Sequence, residues 1–98
     1  MSGEAAPGAV RLTAFLHGHV QGVGMRWWIR ARALELDLAG WARNTDDGRV
    51  EVVAEGPQAA TERLLEQLRS GDGRPGRVTG VVERWGPARG DLSGFAER

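Results

Sequence analysis

The residues best suited to chemistry lie in a glycine-rich stretch, Gly18 to Arg26, between a strand-like run and a helical run. Glycine accepts positive φ and lets the backbone approach a ligand closely. The stretch has glycine at positions 18, 22 and 24, so its backbone N–H groups can point toward a common ligand. N–H groups that converge at a helix start, with the helix dipole behind them, form an anion site. Arg26 adds a planar fork of donors that suits two phosphate oxygens. This spacing favours a phosphate site.

A purely structural role for the same stretch stays open. Glycine-rich turns from strand to helix are common, and the helix dipole disfavours an arginine in the first turn. The stretch lacks the lysine of a P-loop, since all 13 basic residues of the chain are arginines. No second βαβ half follows that would support dinucleotide binding. Spacing alone therefore leaves both an anion site and a plain turn possible.

Asn44 is the second candidate, because it stands just before an Asp-Gly turn signal at Asp47-Gly48. Asparagine is a poor strand former, so its position at the end of a strand suggests a specific role. It could bond the local backbone before the turn. Alternatively, its neutral carboxamide could hold a water through one group and an acceptor through the other. Position alone does not separate these two roles.

The elements that must position these residues follow from hydrophobic periodicity and turn signals. The pattern predicts strands over 10–16, 41–45, 50–55 and 77–85, a helix over 25–38 ended by Gly40, a second helix between Gly56-Pro57 and Gly71, and a short edge strand near Phe95. On the last long strand, Val78, Gly80 and Val82 should share one face. The order βαββαβ indicates an α+β fold, a ferredoxin-like sandwich with an antiparallel sheet and both helices on one face.

Length and composition limit the possible functions. The 98 residues suit one domain, expected over 10–98 after a disordered tail over 1–9. Thirteen acidic and thirteen basic residues balance, which argues against a nucleic-acid or membrane partner. With no cysteine and only two histidines, His17 and His19, we expect no metal site. No secretory signal pattern is seen, so a soluble cytoplasmic protein is expected.

Two segments together resemble the acylphosphatase family. The first matches the family's phosphate loop and its arginine and reads Gly18-His19-Val20-Gln21-Gly22-Val23-Gly24-Met25-Arg26. The second matches the family's strand–turn–strand signature with the asparagine and reads Gly40-Trp41-Ala42-Arg43-Asn44-Thr45-Asp46-Asp47-Gly48-Arg49-Val50-Glu51. The closing Ser93-Gly94-Phe95 is similar as well. His19 stands where an arginine or lysine is usual, and Met25 replaces the usual aromatic residue before the arginine.

The resemblance implies hydrolysis of a carboxyl–phosphate anhydride to a carboxylate and inorganic phosphate, without a cofactor or metal. It implies that Arg26 and Asn44 are catalytic, and that the phosphate is bound by Gln21, Gly22, Val23, Gly24, Met25 and Arg26. The expected partners are a small acyl phosphate and inorganic phosphate, the latter as product and inhibitor, and the expected state is a monomer. By analogy, Arg98 could tether the Arg26 guanidinium.

Two binding functions on the same fold remain as alternatives. One is a standalone anion-binding domain without turnover. The other is an RNA-binding sheet face, since RNA-recognition motifs share the βαββαβ order. Against RNA, the third strand carries no aromatic residue and the chain has no basic excess. Trp27 and Trp28 are both expected to anchor the first helix in the core rather than to stack on a base.

Overall fold

A computed structural model describes residues 8–98. In chain order its elements are β1 (Ala9–His19), α1 (Met25–Glu35), β2 (Ala39–Asn44), β3 (Val50–Pro57), α2 (Gln58–Ser70), β4 (Arg77–Pro87) and β5 (Phe95–Glu97). The tail expected over 1–9 lies almost wholly outside the described residues, and Ala9 is already the first residue of β1. No helix of the described part is long and apolar enough to cross a membrane.

The five strands form one sheet in the order β4-β1-β3-β2-β5. Neighbouring strands are antiparallel except β5, which joins the edge at β2 in parallel. Both helices pack on this sheet, so the ferredoxin-like α+β fold and its short C-terminal edge strand are confirmed.

The core lies between the two helices and one face of the sheet. Three alternate residues in the middle of β1, Leu12, Ala14 and Leu16, are fully buried, as alternation requires. Residues at helical spacing meet them from α1 and α2, namely Met25, Trp28, Ile29, Ala33, Leu64, Leu65 and Leu68. Each large apolar side chain buried here contributes roughly 1.5–3 kcal/mol. This packing fixes the start of α1 above the end of the sheet.

The expected end of the first helix was wrong. The helix ends at Glu35, and Asp37 follows in the left-handed region with φ 57°. Leu38 N–H then donates to Ala33 O at 2.9 Å and Asp37 N–H to Leu34 O at 3.1 Å, which is the Schellman pattern with aspartate in the place that glycine usually takes. The helix therefore stops three residues early.

Gly40 consequently lies inside β2 rather than at the end of the helix. Its φ is 155°, and a Cβ built on it would stand 1.8 Å from the carbonyl oxygen of Val53 on β3. Only glycine allows the two strands to approach this closely.

The expectation that Val78, Gly80 and Val82 share one face of the last long strand was also wrong. His17 pairs with Gly80 whereas Gly18 pairs with Val78, so β4 contains one extra residue at this β-bulge. The extra residue reverses the alternation: Val78 and Val81 pack against the core, and Val82 is 53% exposed. A single-strand pattern carries no signal for a bulge that the pairing of two strands creates.

A connection over 88–94 leads from β4 at one edge of the sheet to β5 at the other. Glu55, which is only 6% exposed, holds it by accepting hydrogen bonds from the N–H groups of Arg89 (3.0 Å) and Gly90 (3.1 Å) and from Arg11 Nε (2.6 Å). Burial raises the pKa of Glu55, but these hydrogen bonds outweigh it and the pKa is lowered overall. The ionised Glu55 thus helps to position β5.

Candidate active site

The glycine stretch forms a turn that delivers the chain from β1 to the start of α1. Gly22 and Gly24 have φ of 73° and 85°, a conformation that glycine adopts without strain. Gly24 is the N-cap of α1, and within the described residues no side chain caps the helix and no acidic residue occupies its first turn. The N–H groups of this first turn therefore have no side-chain acceptor, as an anion site requires.

A cavity of about 80 Å³ lies at this helix start. It is several times larger than the roughly 10–15 Å³ that one water molecule needs. Its lining comes from the turn, the first turn of α1, the end of β2 and β5, and consists of Val20, Gly22, Gly24, Met25, Arg26, Trp27, Asn44 and Glu97. The fold thus brings Arg26 and Asn44, which are 18 positions apart in the sequence, to one cavity.

The Arg26 guanidinium is held in place by Arg98, the residue that follows the edge strand β5. Arg26 Nη1 donates a hydrogen bond to the main-chain oxygen of Arg98 at 2.7 Å. One terminal nitrogen is therefore used for positioning, and Nη2 with the remaining N–H groups is left for an anion. Fixing one end of a flexible side chain reduces the entropy that ligand binding would otherwise cost.

The Gln21 side chain joins the glycine turn to the β2–β3 hairpin. Its Nε2 donates to Thr45 O at 2.8 Å and to Arg49 O at 2.9 Å. Thr45 directly follows Asn44, so these two bonds fix the turn relative to the strand end that carries the carboxamide. The family resemblance implied that Gln21 binds the phosphate, and no pattern in the sequence signals this structural contact.

The hairpin beside Asn44 has its own polar network. Asp47 accepts hydrogen bonds from Arg49 Nε (3.0 Å) and from the hydroxyl of Thr45. The bond from Arg49, followed by that from Thr45, lowers the pKa of Asp47 to about 2. The Asp-Gly turn expected here is confirmed by the hydrogen bond from Gly48 N–H to Thr45 O at 3.2 Å.

The structure divides the residues assigned to the phosphate into two groups. Gly22, Gly24, Met25 and Arg26 line the cavity. Gln21 and Val23 are not part of the lining, and Val23 packs against the core. The Met25 side chain is buried, as expected of a core residue. The role of the individual backbone amides stays a prediction.

Two residues of the lining were missed. Trp27 was expected in the core but is 65% exposed, whereas Trp28 is buried as expected. Trp28 lies at the helical spacing of the apolar residues of α1, whereas Trp27 does not. That spacing could have identified Trp27 as exposed. Glu97 lies two residues after the buried Phe95, so strand alternation turns it to the same side of the sheet.

A larger groove, of about 450 Å³, lies between the C-terminal parts of the two helices. Glu35, Glu66 and Asp72 are among its lining, and their carboxylates would repel a phosphate. None of the residues singled out in the sequence reaches it, so the smaller cavity is the candidate site. No group of three or more residues able to hold a metal ion is found among residues 8–98.

Comparisons with known proteins point to one family. The family model of acylphosphatase matches residues 12–97. The chain is 70% identical to an acylphosphatase of Thermobifida fusca (strain YX) over 91% of this chain and 97% of that protein. It is 68% identical to an acylphosphatase of Nocardia farcinica (strain IFM 10152) over 91% and 88% of the two chains. The crystal structure of acylphosphatase from Bacillus subtilis superposes with a TM-score of 0.83 at 32% identity, covering 91% of this chain and 98% of that one.

Proposed function

The chain belongs to the acylphosphatase family, and we propose that Arg26, the amides at the start of α1 and Asn44 carry out its hydrolysis of acyl phosphates. The reaction cleaves a carboxyl–phosphate bond to give a carboxylate and inorganic phosphate. One observation supports the residue assignment above all: Arg26, Asn44 and the two left-handed glycines of the turn line the same cavity.

In this proposal the positive end of the site holds the phosphoryl group. Arg26 presents the N–H groups that Arg98 leaves available, and the amides of residues 21–25 add donors at the positive end of the α1 dipole. Donors that are already in place when charge develops stabilise a transition state without reorganisation. An acyl phosphate is an activated anhydride, so positioning and charge stabilisation are the main requirements.

Asn44 orients the attacking water. Its Oδ1 accepts a hydrogen bond from the water and holds it in line with the leaving carboxylate. The water oxygen forms a bond to phosphorus while the bond from phosphorus to the acyl oxygen breaks, and the electron pair leaves with the carboxylate. The proton of the water passes to the phosphate itself. A neutral amide suits this position, since a carboxylate would repel the anion.

Turnover of benzoyl phosphate in the presence of EDTA tests the proposal. We expect Arg26→Ala to lower kcat/KM by roughly 10²–10³ or more, the loss typical of a missing oxyanion donor, and to weaken phosphate binding. Asn44→Ala should lower kcat and leave the phosphate affinity largely intact. Arg63→Ala, which removes an exposed arginine of α2, is the matched control.

Two results would contradict the assignment. Near-normal activity of Arg26→Ala would remove its role, and loss of phosphate affinity in Asn44→Ala would show that Asn44 binds the anion instead of the water. Hydrolysis in ¹⁸O-labelled water adds a third check, because attack at phosphorus puts the label into phosphate and not into the carboxylate. Phosphate binding without any turnover would favour the anion-binding module.

The same proposal includes competitive inhibition by inorganic phosphate, because the product fits the donors that hold the substrate. It also includes a monomeric state and a cytoplasmic location, both carried over from the sequence-based expectations. Size-exclusion chromatography with light scattering tests the first, and fractionation of the source cells tests the second.

A further inference from the structure

We propose that the mouth of this cavity selects acyl phosphates whose acyl group carries a positive charge, with Trp27 and Glu97 as the residues that recognise the cation. This inference rests on the proposed function, because it assigns the acyl side of the same site. It commits to a substrate class, acyl phosphates bearing an ammonium group.

Trp27 supplies an aromatic face at the mouth. It follows Arg26 directly in α1, lines the same cavity and keeps 65% of its surface exposed. The hydrophobic core cluster of the described residues includes Trp28 and does not include Trp27, so core packing does not account for Trp27. An indole ring is the best aromatic partner for a cation. Its place beside the phosphate-binding arginine suits contact with the part of the substrate that projects outward.

Glu97, in β5, supplies a negative charge to the same cavity. Glu97 pairs with Ala42 in the parallel β2–β5 ladder. Asn44 follows Ala42 by two positions on β2, so Glu97 and Asn44 lie on the same side of the sheet. The ion pairs found within residues 8–98 do not include Glu97. A carboxylate at a site for a dianion is unfavourable by itself. A substrate that brings its own cation removes that conflict.

Each neighbouring arginine has a partner other than Glu97, and no ion pair to Glu97 is found among residues 8–98. Arg30 Nε donates to Phe95 O at 2.9 Å, and the Arg98 guanidinium lies over the Trp41 ring at 4.2 Å. Arg26 is held by the Arg98 main-chain oxygen. The cavity therefore has a half-buried positive end for the phosphoryl group and an exposed mouth that is aromatic and negative.

Two substrates of the same shape separate charge from size. These are 4-(trimethylammonio)benzoyl phosphate, whose quaternary ammonium cannot attack the anhydride, and 4-tert-butylbenzoyl phosphate, which lacks the charge. The measured quantity is the ratio of kcat/KM for the charged over the neutral substrate, compared between variants so that intrinsic reactivity cancels. Wild type, Trp27→Ala, Trp27→Phe and Glu97→Gln are tested, with Trp85→Ala and Glu66→Gln as exposed controls distant in sequence.

We expect Trp27→Ala to lower this ratio roughly two- to five-fold, the range for an exposed cation–π contact, and Trp27→Phe to restore most of it. Glu97→Gln should lower it by up to about five-fold, as for an exposed ion pair. The Glu97 effect should decrease at high salt. Both changes should appear in KM, and the two control variants should keep the wild-type ratio.

If Trp27→Ala and Glu97→Gln both keep the wild-type ratio, the inference is overturned. Hydrolysis of the neutral substrate in the same experiment would still uphold the proposed function. A Glu97→Gln variant that gains equally on both substrates would also overturn it, since Glu97 would then only repel the phosphate. If the wild type hydrolyses neither substrate, the proposed function fails and this inference fails with it.

Discussion

Replacing Gln21 with alanine tests whether the glycine turn and the hairpin work as one unit. The substitution deletes the two hydrogen bonds from Nε2 to Thr45 O and Arg49 O, of 2.8 and 2.9 Å. It removes no charge and leaves Arg26 on its own tether to Arg98. The change is therefore specific to the link between the phosphate side and the carboxamide side of the cavity.

The expected size follows from those two bonds. A net contribution of roughly 0.5–1.5 kcal/mol for each bond gives about 1–3 kcal/mol in the free energy of unfolding. Because Gln21 is half-exposed, we expect a value in the lower half of that range. In a domain of this size each kcal/mol lowers Tm by about 4–8 °C. Small displacements of a catalytic group cost up to about 10²-fold in rate, so kcat should decrease by about ten-fold or more.

The assay is urea unfolding together with benzoyl phosphate kinetics for wild type, Gln21→Ala and the control Gln58→Ala. Gln58 is exposed on α2, and among the described residues its side chain bonds only to the side chain of Glu62. The phosphate affinity of Gln21→Ala should change less than kcat, since Arg26 keeps its tether. If Gln21→Ala matches Gln58→Ala in both stability and kcat, the idea of a mechanical link between turn and hairpin is wrong.

Two further predictions concern the scaffold. Gly40→Ala places a Cβ against Val53 O, so overpacking and backbone strain together should lower the free energy of unfolding by about 3 kcal/mol or more. The control is Gly80→Ala, whose Cβ meets open space and should change the free energy of unfolding by less than about 0.5 kcal/mol. Glu55→Gln should cost about 1–2 kcal/mol at pH 7 by weakening charge-assisted bonds to the connection over 88–94. Since the folded-state pKa of Glu55 is lowered from 4.5, its contribution is present above pH 4.5 and is lost as the pH falls through the folded value, so unfolding curves of wild type and variant should converge in acid. A difference that persists at pH 2 would contradict this.

Much of the fold could be predicted because local patterns and tertiary structure agree. Alternation in β1 and helical spacing in both helices predict the elements that build the core, and Leu12, Ile29 and Leu64 are buried at the period of their own element. Features that depend on two segments could not be predicted in this way. The bulge in β4 exists only in the pairing with β1, and the close contact at Gly40 exists only because β3 lies beside it.

The site shows the same division. The types and local context of Arg26 and Asn44 make them candidates, the family resemblance assigns their roles, and both residues line the cavity. The contacts of Gln21 with the hairpin join residues 24–28 positions apart, so no local pattern signals them. The tether from Arg98, 72 positions from Arg26, could be expected only by analogy with the family. The expectation that Trp27 lies in the core with Trp28 was wrong, because helical geometry sends neighbouring side chains in different directions.

Titration of the ¹⁵N-labelled chain with inorganic phosphate, followed by amide spectra, tests the central claim most directly. We predict saturable shifts at the backbone amides of residues 21–26 and at the side-chain amide of Asn44, and their disappearance in Arg26→Ala. Shifts that concentrate in the groove between the two helices, or an unchanged phosphate affinity in Arg26→Ala, would contradict the account.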